Sequence, residues 1–387
     1  MSLAAQSTDE LTARLTRPAS TPVLRRVLHV VLSLNPGGTE RLVMALAQRL
    51  GPATPTAVCC LDEVGAWGED LRRAGVAVTA LGRRQGFRPA LGRHIARIAR
   101  AHRADVLHCH HYSPFVYAAL SKAFHRAPRL LFTEHGRLAD APPSPKRRWA
   151  NRILARIPDG VFTVSNDLKE HLVREGFRGD RIRVLHNGID AGPVPSRRDR
   201  LAAREILGVP GEACVVATIA RLDPVKGLGT LIEGFARFHA DRLDSRLVII
   251  GDGPERDGLE ALARKHDLLA AVTFAGHRDD ARQLLAGADI YVNSSTFEGI
   301  SLTVLEAMAA CLPVIATRVG GNPEILDSDS GVLVAAGHVE ALAGALQALA
   351  ASPARCSELG AKARDRVERE FSLDRMIREY SSVYRDA

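Results

Sequence analysis

Apolar residues in this chain come in short unbroken blocks, separated by longer stretches in which they recur every three or four positions. The first block, Val27 to Leu32, is closed by Asn35-Pro36-Gly37-Gly38, after which Leu42, Ala45, Leu46 and Leu50 fall on one helical face. This predicts a strand, a glycine turn and a helix. Similar units follow at 56–61 with 67–74, 76–81 with 93–101, 106–108 with 115–124, 130–133, and 161–164 with 168–175, and a last strand is predicted at 183–185. Strands that are apolar throughout and alternate with helices predict a parallel, doubly wound sheet.

The loop His186-Asn187-Gly188-Ile189-Asp190 and a polar stretch with Pro193, Pro195 and several arginines through Arg204 mark an interdomain linker. The alternation then restarts at Cys214–Ala220 and continues to Gly331–Val334, followed by helical patterns near 341–351, 357–370 and 373–383. With 387 residues, more than one core usually supports, the expectation is α/β: two Rossmann-like domains facing across a cleft. We expect the first over 25–192 and the second over 193–370, with a loose arm over 1–24 and a C-terminal helix, 371–387, packed back on the first domain.

Composition narrows the classes. A hydrophobic fraction of 46% with 25% charged residues is that of a globular protein, and the apolar runs are too short to span a bilayer. The net charge of +8 points to an anionic partner: a nucleotide diphosphate, an anionic lipid or nucleic acid, the last resting on net charge alone. Six cysteines without a CxxC pair read as reduced thiols in a cytoplasmic protein without zinc. Residues 1–24 have no apolar stretch, against a signal peptide.

The chemistry concentrates where a predicted strand end turns into a helix, from Ser294 through Glu298, Gly299, Ile300, Ser301 and Leu302 to Glu306. Gly299 permits close backbone approach, and the amides of Ile300 to Thr303 would be the free donors of a helix N-terminus with Ser301 as N-cap, a seat for a diphosphate. Glu306 lies about 6 Å further along the axis, where a carboxylate can take both hydroxyls of a ribose. By spacing alone, the two glutamates read as a loop carboxylate and a solvated helix residue. A second element, Ala220-Arg221-Leu222-Asp223-Pro224-Val225-Lys226-Gly227, follows a predicted strand and offers two cations to a pyrophosphate leaving group. A third, Gly37-Gly38-Thr39-Glu40, opens the first helix, as a tight turn or as a phosphate-facing loop.

Taken together with Thr133-Glu134-His135-Gly136 and the Asn-Gly-Ile-Asp segment, these elements resemble, in composition and order, the retaining glycosyltransferases of family 4, with the glycosyltransferase B fold. The resemblance implies Arg221 and Lys226 on the donor diphosphate, Glu298 on sugar hydroxyls, Glu306 on ribose, and Gly37 and Gly38 near phosphate or acceptor. It implies His135 beside the transferred sugar and, most loosely, Gly276 and Arg278 framing the nucleobase. It further implies transfer of a hexose-type sugar with retained configuration from a UDP or GDP sugar to a glycan, lipid-linked glycan or other hydroxyl, in cell-surface polysaccharide or glycoconjugate synthesis. No metal or other cofactor is expected, because the cations stand where a metal would. The sequence departs from the family pattern at Ala220, where glycine is usual, and at His186, where proline is usual.

Other readings share the architecture: a nucleotide-sugar epimerase, or a catalytically silent donor-binding subunit. A nicotinamide dehydrogenase fits less well, since neither half has a complete glycine fingerprint. Lys146-Arg147-Arg148-Trp149 with Arg152 and Arg156 forms a basic amphipathic segment, and Arg93, Arg97, Arg100 and Arg103 form a second basic face. These read as solvated faces or as contact with an anionic membrane. His108, His110 and His111, at the end of a predicted strand, read as polar residues lining the cleft.

Overall fold

The computed structural model describes residues 25–50, 54–137 and 144–386. The expected arm, 1–24, lies outside the described residues. The first sheet contains β1 (Val27–Val31), β2 (Thr56–Cys60), β3 (Ala77–Ala80), β4 (Val106–His110), β5 (Arg129–Glu134), β6 (Gly160–Thr163) and β7 (Ile182–Val184), in the order 3-2-1-4-5-6-7. The second contains β8 (Cys214–Ile219), β9 (Ser245–Ile250), β10 (Val272–Gly276), β11 (Ile290–Asn293), β12 (Val314–Thr317) and β13 (Val332–Val334), in the order 10-9-8-11-12-13. All pairings between these strands are parallel.

Helices cover both faces of each sheet, which explains the unbroken apolar blocks: β1 and β4 are buried at every position. In each sheet the strand order reverses once, between β1 and β4 and between β8 and β11. Connections leave to opposite sides there, so a crevice opens beyond the carboxyl ends of those strands. The expected chemistry follows those strands: Gly37-Gly38 after β1, Arg221 and Lys226 after β8, Glu298 after β11.

The chain passes between the two units twice, side by side. Ile189 N donates to the Phe371 carbonyl (2.9 Å) and Leu373 N to the Ile189 carbonyl (2.7 Å). A side chain at Gly188 would collide with the Ser372 carbonyl, which gives the Asn-Gly-Ile-Asp segment a packing reason for its glycine. The final helix, Leu373–Asp386, then lies on the first sheet, where Met376, Tyr380, Val383 and Tyr384 pack with Val27, Leu42, Val106, Leu131 and Phe162. All six cysteines are free thiols. Among the described residues, no helix is long and apolar enough to cross a membrane.

Candidate active site

After β11 the chain runs Ser294 to Ile300 before the helix Leu302–Ala309 begins, with Ser301 at its N-cap and its hydroxyl accepting from Val304 N (3.4 Å). Glu298 is nearly buried, at 8% exposure, and its Oε1 is the focus of the turn. Lys226 Nζ (2.8 Å), Ser295 Oγ (2.6 Å) and Asn293 Nδ2 (3.1 Å) all donate to it. Asn322 Nδ2 in turn donates to Asn293 Oδ1 (3.1 Å) and to the Thr317 carbonyl (2.9 Å), so the network reaches back into β12. One oxygen is thus saturated and held by buried partners, which fixes the carboxylate before any ligand arrives.

Glycines make the turn possible. A side chain at Gly320 would collide with the Glu298 carbonyl, and one at Gly321 with the Gly299 carbonyl. From the opposite unit, the His135 carbonyl lies where a side chain on Gly299 would be. The Glu298-Gly299 peptide is therefore sandwiched between Gly320-Gly321 and His135 across the cleft. Gly38 faces Leu302 in the same way, with a side-chain carbon there lying 3.7 Å from Leu302 Cδ1. At Gly37 the Glu40 carboxylate folds over the loop, and burial raises its pKa.

The loop from Arg221 to Gly227 is laced to this turn. Thr296 N (2.8 Å) and Thr296 Oγ1 (3.1 Å) donate to the Val225 carbonyl, and Ser294 Oγ donates to the Lys226 carbonyl (2.9 Å). Gly227, at φ +59°, passes so close to the Ser294 carbonyl that a side chain would not fit. The lacing directs Lys226 inward to Glu298. Arg221 stays at the mouth, its side chain 75% exposed and paired with Asp223.

Glu306 is buried on its helix and paired with Arg41, from the helix Gly38–Leu50 of the opposite unit. Arg41 escaped the sequence reading, as did Asn293, Ser295, Asn322, Gly320 and Gly321. The available signal was Arg41 lying one turn after the glycine loop. Of the expected residues, the fold brings together Gly38, His135, Lys226, Glu298, Gly299, Ile300, Ser301, Leu302 and Glu306. The Arg278 guanidinium is paired with Asp280 (2.8 and 2.7 Å), and Gly276 is bridged to Gly251 at the end of β10.

His108 and His110 do not line the cleft as expected; both are wholly buried. They point to one face of the central strand β4, and the C-terminal helix covers that face. His108 Nδ1 lies 2.6 Å from Tyr384 OH and its Nε2 2.8 Å from Thr133 Oγ1. Burial lowers the pKa of His29 to about 3 and holds His108, His110 and His135 well below the usual range, with neighbouring imidazoles adding to the effect on the last three. His111 moves the other way. Burial opposes its charge, but the hydrogen bond to Glu134 (2.9 Å) and the charges of Glu134 and Glu40 outweigh that and raise its pKa. It sits at φ +73°, ψ 160°, a strained conformation for a side chain other than glycine, and its Nε2 lies 2.9 Å from Thr39 Oγ1.

Residues 36–192 match the model of Glycosyltransferase Family 4, and residues 199–366 that of Glycosyl transferases group 1. The putative glycosyltransferase EpsD of Bacillus subtilis is 30% identical over 320 residues, covering 78% of this chain and 82% of the relative. The chain belongs to the family 4, group 1 glycosyltransferases. The N-acetyl-alpha-D-glucosaminyl L-malate synthase of Bacillus anthracis is 27% identical over 301 residues, 77% of this chain and 78% of that one. Among solved structures, Anabaena HepE in complex with UDP superposes with a TM-score of 0.83 at 23% identity, over 94% of this chain and 100% of HepE. The transferase therefore has the glycosyltransferase B fold, and its activity is glycosyl transfer from a nucleotide-sugar donor.

Proposed function

We propose that the transferase moves a hexose-type sugar with retained anomeric configuration and without a metal ion, and that the meeting of Lys226 with Glu298 beside the switch point of the second sheet is the donor-sugar centre. The observation that carries this reading is the 2.8 Å contact between Lys226 Nζ and Glu298 Oε1, with His135 of the opposite unit closing over the same turn. Residues 193–370 are the donor-side domain and 25–192 the acceptor-side domain.

As the bond from sugar to phosphate breaks, negative charge grows on the diphosphate and the sugar becomes oxocarbenium-like. Arg221, Lys226 and the first amides of the helix Leu302–Ala309 stabilise that charge more in the transition state than in the ground state. Glu298 keeps its second oxygen for a sugar hydroxyl, and Glu306 accepts from the ribose. The acceptor attacks from the face the diphosphate leaves, and the departing phosphate takes its proton. UDP is the first donor base to try, GDP the second.

The acceptor is a glycan or lipid-linked glycan at the cytoplasmic face of a membrane. A hollow of about 420 Å³ in the acceptor-side domain is lined by Arg148, Arg152, Arg156, Arg178 and Arg181 and, among the described residues, by no acidic one, although Arg178 pairs with Asp180 outside it. Trp149 and Ile153 stand exposed, at 66% and 46%, on the helix Pro145–Leu154 that carries Arg148 and Arg152. Cations beside exposed apolar side chains fit an anionic bilayer surface. Binding to anionic vesicles that weakens as salt rises supports this contact; equal binding to neutral vesicles contradicts it.

The decisive assay mixes candidate nucleotide sugars with acceptor in the presence of chelator, follows nucleoside diphosphate release, and reads the product's anomeric configuration by proton NMR. Release that requires acceptor, with retained configuration, supports the proposal. Acceptor-independent conversion of the donor would make the protein an epimerase. An inverted product or loss of activity in chelator would overturn the mechanism.

A further inference from the structure

Three imidazoles form one continuous chain beneath the cleft. His29 Nδ1, on β1, lies 2.9 Å from His110 Nε2, on β4, and His110 Nδ1 lies 3.0 Å from His135 Nε2, just after β5. The rings stack in sequence, with centroids 5.2 Å apart at both steps. The far nitrogen of the last ring, His135 Nδ1, is buried and has no hydrogen-bond partner among the described residues. Leaving a buried polar atom unpaired is unfavourable, and a ligand that supplies the partner recovers the loss.

The cluster also has the spacing of a metal site: one nitrogen each from His29, His108 and His110 lies within 4.8 Å of the others. Its hydrogen bonding argues against that use. Both nitrogens of His108 are taken, by Tyr384 and Thr133, and the contact between His29 and His110 is of hydrogen-bond length. The rings share protons with their neighbours.

Neutral imidazole carries one N–H and one lone pair, so two linked hydrogen bonds between three neutral rings leave two arrangements. Either His29 donates to His110 and His110 to His135, and all three protons sit on Nδ1, or the direction reverses and all three sit on Nε2. In the first, His135 Nδ1 is a donor; in the second it is an acceptor. No arrangement with unlike tautomers keeps both hydrogen bonds.

We propose that His29 and His110 are positioning residues: they lock the tautomer of His135 and thereby decide whether its Nδ1 gives or takes the hydrogen bond to the transferred sugar. This rests on the reading that sets the sugar between Glu298 and His135. The role of Nδ1 then cannot change unless the protons of the two rings behind it shift as well, so the sugar hydroxyl meets a nitrogen of fixed role and must orient its own O–H to suit.

The test uses the full-length protein labelled with 15N-histidine and long-range proton–nitrogen spectra without donor. His29, His110 and His135 are expected to show one shared tautomer. In His29→Phe, which removes both nitrogens at a position separated from His135 by the His110 ring, His135 becomes a mixture and kcat falls about tenfold, while donor Kd stays within about twofold, the loss of one oriented hydrogen bond. His29→Asn, whose amide can stand in for Nδ1, recovers a single tautomer and most of kcat. Unlike or mixed tautomers in the native protein overturn the proposal, as do an unchanged His135 and kcat in folded His29→Phe. So does a stoichiometric metal whose removal abolishes activity. If His29→Phe does not fold, the native and His29→Asn spectra still decide. Failure of the sugar-site reading would show elsewhere, as normal activity in Lys226→Ala and Glu298→Ala with the resting tautomers unchanged.

Discussion

Arg41 and Glu306 come from opposite sides of the cleft and form an ion pair. Glu306 is almost entirely buried, whereas the Arg41 side chain is 45% exposed, so the pair joins a buried carboxylate to a cation that reaches solvent. A carboxylate has room for more than one donor, and Arg41 on Oε1 leaves Oε2 for the ribose hydroxyl proposed above.

Removing the cation leaves a buried carboxylate without its partner, which costs more than the net value of the pair. Arg41→Ala is expected to raise the donor Kd about tenfold and lower Tm, and Glu306→Gln to weaken donor binding as well. A double-mutant cycle on donor Kd should return a coupling of about 1–2 kcal/mol. Additive effects would mean that the two residues contribute separately.

Gly320 tests the geometry of the turn. It sits at φ +51° with no room for a side chain against the Glu298 carbonyl. Gly320→Ala should shift the Glu298-Gly299 peptide, cutting turnover at least tenfold, because small misplacements at the reacting centre are costly. Wild-type kcat in this variant would show that the turn does not position the sugar.

Stability should fall in mild acid. His29, His108, His110 and His135 stay neutral in the folded protein because burial lowers their pKa values. Unfolded histidines titrate near 6.5, so above that pH neither state holds these protons, and as pH drops below about 6.5 the unfolded chain binds them and the native state does not. Urea midpoints at pH 7.5, 6.0 and 5.0 should decline, these four histidines supplying up to four of the protons taken up on unfolding. A flat profile would contradict the buried, neutral assignment.

Much of the fold could be read from the apolar blocks, since strands buried on both faces leave an unbroken signature. So could the turn bearing Glu298 and the loop bearing Lys226, because glycines, a capping serine and charged residues lie close together in sequence. What escaped depends on strand order. Arg41 and Glu306 are 265 positions apart, and His29 meets His110 across 81 because the order 3-2-1-4 makes β1 and β4 neighbours. Local periodicity carries no information about either meeting. His108 and His110 were misjudged for a related reason: the helix that buries them, with Tyr384, arrives from the other end of the chain.

Lys226→Ala should lower kcat by at least about a hundredfold while the fold survives, since it removes a fixed charge from the leaving-group side. Ser295 and Asn293 still hold Glu298 in that variant, so the carboxylate stays in place. A loss below about threefold would mean that the leaving group is stabilised by other residues.

The most direct test of the donor centre is calorimetric titration of UDP, GDP and their sugars into the native protein and into Arg221→Ala and Lys226→Ala, with chelator present throughout. The account predicts one-to-one binding of one nucleotide type, unaffected by chelator and weakened at least about tenfold in each variant. Binding that both variants leave intact, or that requires a metal ion, would contradict it.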